Sequence, residues 1–330
     1  MALNRRSLIR AAGAAALSMP FVAREGFAQA QVLKLTFADT RNHPLLQVLE
    51  RFAENVKKKS NGALEVQVFG TGELGSQANI LTGMQTGIID LCAHTSGFID
   101  TLFPKFQVLD LPFLFPDIAT AEKVVDGPVG KQLLDMMPAK GIYGLGYGVW
   151  GWRVTSTINR KIPKPEDIKG LKIRVQPGPI FAATFRALGA NPIAIDYSEV
   201  YLALSQHTIE AVETPIIALP SAKHYEVVNT VNLTNYCYNA GVMLASKRKF
   251  DALAAPLQET VRAACADLTK DWRKMIVQKT DETAVFLKEK GLTINEVDRD
   301  AYRKATESVY KDFRDVIGAD LVDAVTKQVG

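Results

Sequence analysis

The spacing of apolar positions changes period repeatedly along this chain, and each change marks an element. Leu33 to Phe37 is a short apolar run that predicts a strand. Pro44 to Lys59 then carries Leu45, Val48, Leu49, Phe52 and Val56 at three- and four-residue spacing, the stripe of a helix that buries one face. Asn61-Gly62 supplies a turn, after which Leu64, Val66 and Val68 alternate with polar residues as in a half-buried strand. Ser76 to Thr86 reads as a second helix and Ile88 to Ala93 as a buried strand, with further strands at Ile142 to Tyr147 and Gly151 to Ile158. This alternation of strand and helix argues for a largely parallel sheet with helices on its faces.

A second unit of the same kind begins after Ile162-Pro163-Lys164-Pro165. Leu171 to Val175 is a strand, Phe181 to Leu188 a helix ended by Gly189, and Pro192 to Ile195 another strand. Asp196 and Ser198 can cap the helix that runs through Leu204. Val231 to Ala245 is extended and long enough to pass between two domains. Beyond Pro256 a helical pattern continues to about Lys290, with Trp272, Ile276 and Phe286 among its apolar positions, and two further helices finish the chain. The expected architecture is α/β, two lobes joined by crossover strands, with a long C-terminal helix bracing both. Residues 31–151 with about 240–280 would form lobe I, and residues 152–239 with about 281–330 lobe II.

The first thirty residues change the charge picture. Arg5, Arg6 and Arg10 precede an apolar run from Ala11 to Val22, and Ala28-Gln29-Ala30 has the small-residue pattern of a cleavage site. The run is shorter than the ~20 residues that span a bilayer, so it reads as a removed export signal. Asn4-Arg5-Arg6-Ser7-Leu8-Ile9-Arg10 resembles a twin-arginine signal, which places the mature protein in the periplasm. Without the four arginines and one glutamate of this segment, 35 basic and 34 acidic residues remain. That balance leaves no basic field for nucleic acid or a membrane surface. Cys92, Cys237 and Cys265 are odd in number and form no C-x-x-C pair, so buried free thiols are expected.

Enzymatic signatures are sparse. His43, His94, His207 and His224 are scattered, without the spacing of a metal site, and the chain has neither a G-x-S-x-G elbow nor a phosphate-binding loop. No metal or cofactor is therefore expected. Gly146, Gly148 and Gly151 match G-x-G-x-x-G, but the β-branched run Trp152 to Ile158 follows where a dinucleotide site needs a helix. A close backbone crossing suits those glycines better. Two arginines at strand positions say more. Leu171, Ile173 and Val175 share one face, whereas Arg174 lies on the other, at the C-terminal end of the strand. Open α/β sheets bind ligands at that end, and a guanidinium fork matches a carboxylate. Arg153 sits comparably on the preceding strand, and Gln176 directly follows the strand of Arg174. A structural Asp or Glu could instead pair with either arginine.

The segment Pro163-Lys164-Pro165-Glu166-Asp167-Ile168-Lys169-Gly170-Leu171-Lys172-Ile173-Arg174-Val175 resembles the signature of TRAP-transporter solute-binding proteins, the C4-dicarboxylate-binding DctP type. Gly72-Glu73-Leu74-Gly75-Ser76, Leu109 to Phe115 and Glu199 to Leu204 resemble further motifs of that family, in its order. The resemblance covers essentially the whole mature chain. It implies a periplasmic-binding-protein-like fold whose interlobe cleft closes on a small organic acid, a TRAP-type membrane permease as partner, and a monomer. Arg174 matches the family's carboxylate-binding arginine, and Arg153 in Gly151-Trp152-Arg153 a second arginine that supports it. Glu210 to Pro215 occupies the place of a D-G-x-E-x-P stretch, with Thr214 where the family usually has asparagine and Ala211 where it has glycine.

Other candidates for the cleft are Asp39 and His43 after the first strand, Gln77 at a helix N-terminus suited to anions, Thr95 and Phe98 after a strand end, and Tyr236 at a lobe crossing. Trp150 and Trp152, two apart on a strand, would face the same side, and the resemblance favours Trp150 in the pocket. The expected activity is binding without turnover. A periplasmic sensor and an enzyme acting on organic acids are the rival readings. The tryptophans, with no obvious second basic site, lean towards a monocarboxylate with a hydroxylated or apolar body.

Overall fold

Eleven strands in two mixed sheets organise residues 30–330, which the computed structural model describes; the export signal expected from the sequence lies outside them. In chain order they begin with β1 (Gln31–Phe37), β2 (Leu64–Phe69), β3 (Leu91–Thr95), β4 (Ile142–Val149), β5 (Arg153–Thr157) and β6 (Lys172–Val175). Then follow β7 (Asn191–Ala194), β8 (Ala211–Pro215), β9 (Thr230–Cys237), β10 (Ala240–Ser246) and β11 (Thr293–Asn295). The first sheet has the order β2-β1-β3-β10-β4 and the second β11-β9-β5-β8-β6-β7.

The periodicity of the sequence explains the first sheet. Leu33, Leu35 and Phe37 of β1 are buried while Val32 and Lys34 face out. The helix Leu45–Lys59 lays Leu45, Val48, Leu49, Phe52 and Val56 on the core and ends in Lys57, Lys58 and Lys59, where positive charge suits the carbonyl end of the helix. It returns the chain to pair β2 parallel to β1. β3 begins only at Leu91: Gly87 ends the preceding helix in the left-handed region, and Ile88 is 67% exposed.

The sheets are less parallel than the sequence suggests. β10 is antiparallel to both β3 and β4, and β5 is antiparallel to both β8 and β9. The reason lies in the connections. Trp150-Gly151-Trp152 joins β4 to β5 and Tyr238-Asn239 joins β9 to β10, so strands pass between sheets without the crossover helix that parallel pairing requires. The two passages touch where the Trp150 N–H donates to the Asn239 carbonyl at 3.0 Å. Gly151, at φ +102°, breaks the alternation between Trp150 and Trp152.

The long helix, Ala255–Glu289, packs on β4, on the helix Leu45–Lys59 and on β11 of the second sheet. Its Trp272 is fully buried. Gly148 of β4 and Gly241 of β10 are partners in register, and the indole lies on the flat patch they make. A Cβ on Gly241 would come within 2.7 Å of that indole. The glycines that mimic a dinucleotide motif thus admit a helix against a strand. Three helices finish the chain instead of two, Arg299–Ala305, Glu307–Ile317 and Ala319–Val329, because Thr306 and Gly318 interrupt the pattern. The middle one touches both Pro104–Asp110 and the helix Pro179–Ala187, and the last packs on helices Ile118–Val125 and Pro128–Asp135. Cys92, Cys237 and Cys265 are buried free thiols.

Trp272 ties the long helix to both glycine-bearing strands, so Trp272→Ala is expected to cost about 3–5 kcal/mol. A urea titration should show a lowered midpoint at unchanged slope; an unchanged midpoint would deny the indole that role.

Candidate ligand-binding site

The C-terminal ends of β1, β3, β6 and β8 and the crossing at Trp150 and Asn239 enclose a cavity between the sheets. It is small, about 30 Å³ counted as positions a water centre can occupy. Nine of the eleven residues singled out from the sequence line it. Asp39, His43, Gln77 and Thr95 come from the side of the first sheet, Arg153, Arg174, Gln176 and Thr214 from that of the second, and Trp150 from the crossing.

The two arginines differ in their partners. Arg153 is committed: its Nε donates to the Glu213 carboxylate and its Nη2 to the Glu213 carbonyl at 2.7 Å, with Phe181 under the guanidinium. Glu213 is fully buried and also accepts from the Tyr236 hydroxyl at 2.6 Å and the Gln176 N–H at 2.9 Å. Burial works against the charge of Arg153, but the adjacent Glu213 outweighs it and holds the pKa above the ordinary arginine value. Arg174 is 2% exposed. Its Nε donates to the Ile195 carbonyl at 3.0 Å and its guanidinium lies 5.6 Å from the centre of the Tyr197 ring. Among the described residues no carboxylate makes an ion pair with it. Burial pushes its pKa down to about 10, which leaves it charged at neutral pH.

Around Arg174 the walls present neutral donors. The Nδ1 of His43 accepts from the Leu45 N–H at 3.1 Å and that of His94 from the Thr95 N–H at 2.9 Å. Burial lowers both histidines to about 3, so each is neutral, with its proton on Nε2. The Gln176 amide accepts from Thr95 through Oε1 at 3.1 Å. Among the described residues His43 Nε2, Gln176 Nε2 and Trp150 Nε1 are buried donors that find no partner, and a ligand acceptor would relieve the cost of leaving those bonds unmade. Asp39 accepts from Ser221 at 2.9 Å and from Tyr197 at 3.3 Å. Burial raises its pKa to about 7.

Three expectations need correction. Phe98 is set back from the cavity, stacked on His94 with ring centres 3.9 Å apart, because Ser96–Ile99 turns helical and carries it inward. Tyr236 is likewise behind the wall, spent on Glu213. Trp152 does not line the cavity that Trp150 lines; it packs edge-on against Tyr238, beyond Gly151 at φ +102°. Gln77 lines the cavity, but the anion at its helix start is internal: its N–H donates to Asp196 at 3.0 Å. The sequence reading missed His94, Tyr197 and Asn239, which also line the cavity. His94 directly precedes Thr95 at a strand end, a signal that was available. Tyr197 and Asn239 lie in a one-turn helix and a crossing, where no period exists to read.

A buried arginine without a counter-ion, opposed by neutral donors at the mouth of two sheets, defines an α/β solute-binding protein. The chain belongs to the DctP family, family 7 of bacterial extracellular solute-binding proteins, the binding proteins of TRAP transporters; the family model matches residues 36–315. The 2,3-diketo-L-gulonate-binding periplasmic protein YiaO of Escherichia coli (strain K12) is 32% identical over 300 residues, 90% of this chain and 92% of that protein. The C4-dicarboxylate-binding periplasmic protein DctP of Rhodobacter capsulatus is 30% identical and covers 98% of both chains. The crystal structure of the sugar acid binding protein DctPAm from Advenella mimigardefordensis, in complex with galactonate, superposes with a TM-score of 0.89 at 32% identity, covering 91% of this chain and 98% of that one.

Glu213→Gln would leave the Arg153 charge buried and unneutralised, and should cost about 3 kcal/mol or more in chemical unfolding. A loss below about 1 kcal/mol, as for an exposed pair, would contradict the assignment of this carboxylate to Arg153.

Proposed function

We propose that this protein captures a short, hydroxylated monocarboxylate in the cavity between its sheets and delivers it to a TRAP-type permease. The observation that carries the reading is Arg174: buried, charged and, among the described residues, without an ion-pair partner, at the end of β6 on the cavity wall. Its terminal nitrogens suit a carboxylate fork, and His43 and Gln176 offer N–H groups to the oxygens that follow along the solute. Asp39 and Thr214 can take up solute hydroxyl protons.

Capture closes a hinge. The Thr40 hydroxyl donates to the Ser221 carbonyl at 2.9 Å, Asp39 accepts from Ser221 and Tyr197, and Thr95 bonds Gln176. Each of these bonds joins the side of the first sheet to that of the second, so opening breaks them and solute contact on both walls favours their formation. The hinge lies at Trp150-Gly151-Trp152 and Tyr238-Asn239. The lobes are residues 31–151 with about 240–280, and 152–239 with about 281–330, the final helix being seated on lobe I. Binding without turnover fits the histidines, which burial makes poor bases. Export by the twin-arginine route would place the protein where its permease can meet it.

The test is a thermal-shift screen of the mature protein against short hydroxy and keto acids. Micromolar affinity corresponds to about −8 kcal/mol, and ligand at about 100 times its dissociation constant stabilises by about 2.7 kcal/mol, several degrees of melting temperature. Arg174→Ala should abolish the shift. A shift that survives in Arg174→Ala would remove that arginine from the site, and no shift with any carboxylate would overturn the reading.

A further inference from the structure

We propose that Asp39 is the specificity-determining residue of the cavity and that its carboxylate restricts the site to acids with a single carboxylate. The inference rests on the reading of the cavity as a carboxylate site and adds which acids it refuses. Asp39 is 2% exposed and held by neutral donors alone: the Thr40 N–H at 2.7 Å and the Ser221 hydroxyl at 2.9 Å on Oδ1, and the Tyr197 hydroxyl at 3.3 Å on Oδ2. Among the described residues no arginine or lysine forms an ion pair with it. Tyr197 stands between it and Arg174, offering its ring to the guanidinium and its hydroxyl to the carboxylate.

The lining side chains therefore present one available cation, Arg174, and one carboxylate, Asp39, with the ionised Asp196 behind Gln77 adding further negative charge. Arg153 is neutralised by Glu213, the lining histidines are neutral, and among the described residues no lysine lines the space. A solute that seats one carboxylate on Arg174 has no second cation to meet. Asp39 and Arg174 line the same cavity and share Tyr197, so the far end of a short solute faces Asp39. Two like charges about 6 Å apart at an effective dielectric of about 20 repel on the order of a hundredfold in affinity. Proton uptake by Asp39 limits the loss to about tenfold one pH unit above its pKa. A terminal hydroxyl has the opposite effect, since Asp39 retains acceptor capacity on Oδ2.

The test compares acids that differ only at the far carbon: glycerate against tartronate, and erythronate against meso-tartrate. Each pair exchanges a CH2OH group for a carboxylate. Calorimetry at pH 8, above the value of about 7 that burial gives Asp39, should show the monocarboxylate of a pair binding about tenfold more tightly than its partner. In Asp39→Asn that ratio should fall to about twofold or less; Asp39→Ser repeats the measurement if the first variant does not fold. Equal affinity within the pairs for the wild type, or an unchanged ratio in the variants, overturns the role of Asp39. Provided binding still disappears in Arg174→Ala, either result leaves the carboxylate site standing. Failure of the wild type to bind any of the four acids overturns both.

Discussion

Glu213 has one carboxylate and two buried arginines near it, and the structure turns on how that conflict is resolved. The carboxylate goes to Arg153, together with the hydroxyl of Tyr236 and the backbone of Gln176. That choice knits the start of β5, the middle of β8, the segment after β6 and β9 into one unit. It also leaves Arg174 the cation without a partner. Burying an unpaired charge is costly, and the cost is reduced here by the Ile195 carbonyl and the face of Tyr197, neither of which competes with an incoming carboxylate. A guanidinium held this way is pre-positioned, so little side-chain entropy is lost when the solute arrives.

The rest of the cavity follows from where the strands stop. Asp39 and His43 follow β1, His94 and Thr95 close β3, and Gln176 and Thr214 mark the ends of β6 and β8. Each reaches the cavity because a rigid element ends there, and backbone N–H groups of the following turns fix the ring nitrogens of the two histidines. The neutral donor set is thus a product of local backbone geometry. Its complement is the crossing segment, which supplies Trp150 and the only covalent routes between the sheets apart from the chain beyond β10.

Much of this was legible in the sequence. Helical spacing placed Leu45–Lys59 and the long helix almost to the residue, since their apolar stripes are long and regular. The alternation of β6 put Arg174 on the face opposite Ile173, and its position at a strand end pointed to the cavity. What the sequence did not show was pairing. Nothing in the pattern of β5 and β8 says that Glu213 lies beside Arg153, because the contact joins residues 60 apart across an antiparallel ladder. The direction of the crossing strands was hidden for the same reason: strand propensity is indifferent to the neighbour's orientation. Phe98 and Tyr236 were misplaced by a helical turn and by a neighbouring acid, both features of three-dimensional context.

Trp150 forms part of the cavity wall and meets Trp272 of the long helix edge to face, with ring centres 5.3 Å apart. Two of the three tryptophans of the chain form this pair, and one of them lines the cavity. The cavity therefore carries its own optical reporter: a solute that changes the polarity or quenching around Trp150 alters the ultraviolet emission of the whole protein, with no dye attached.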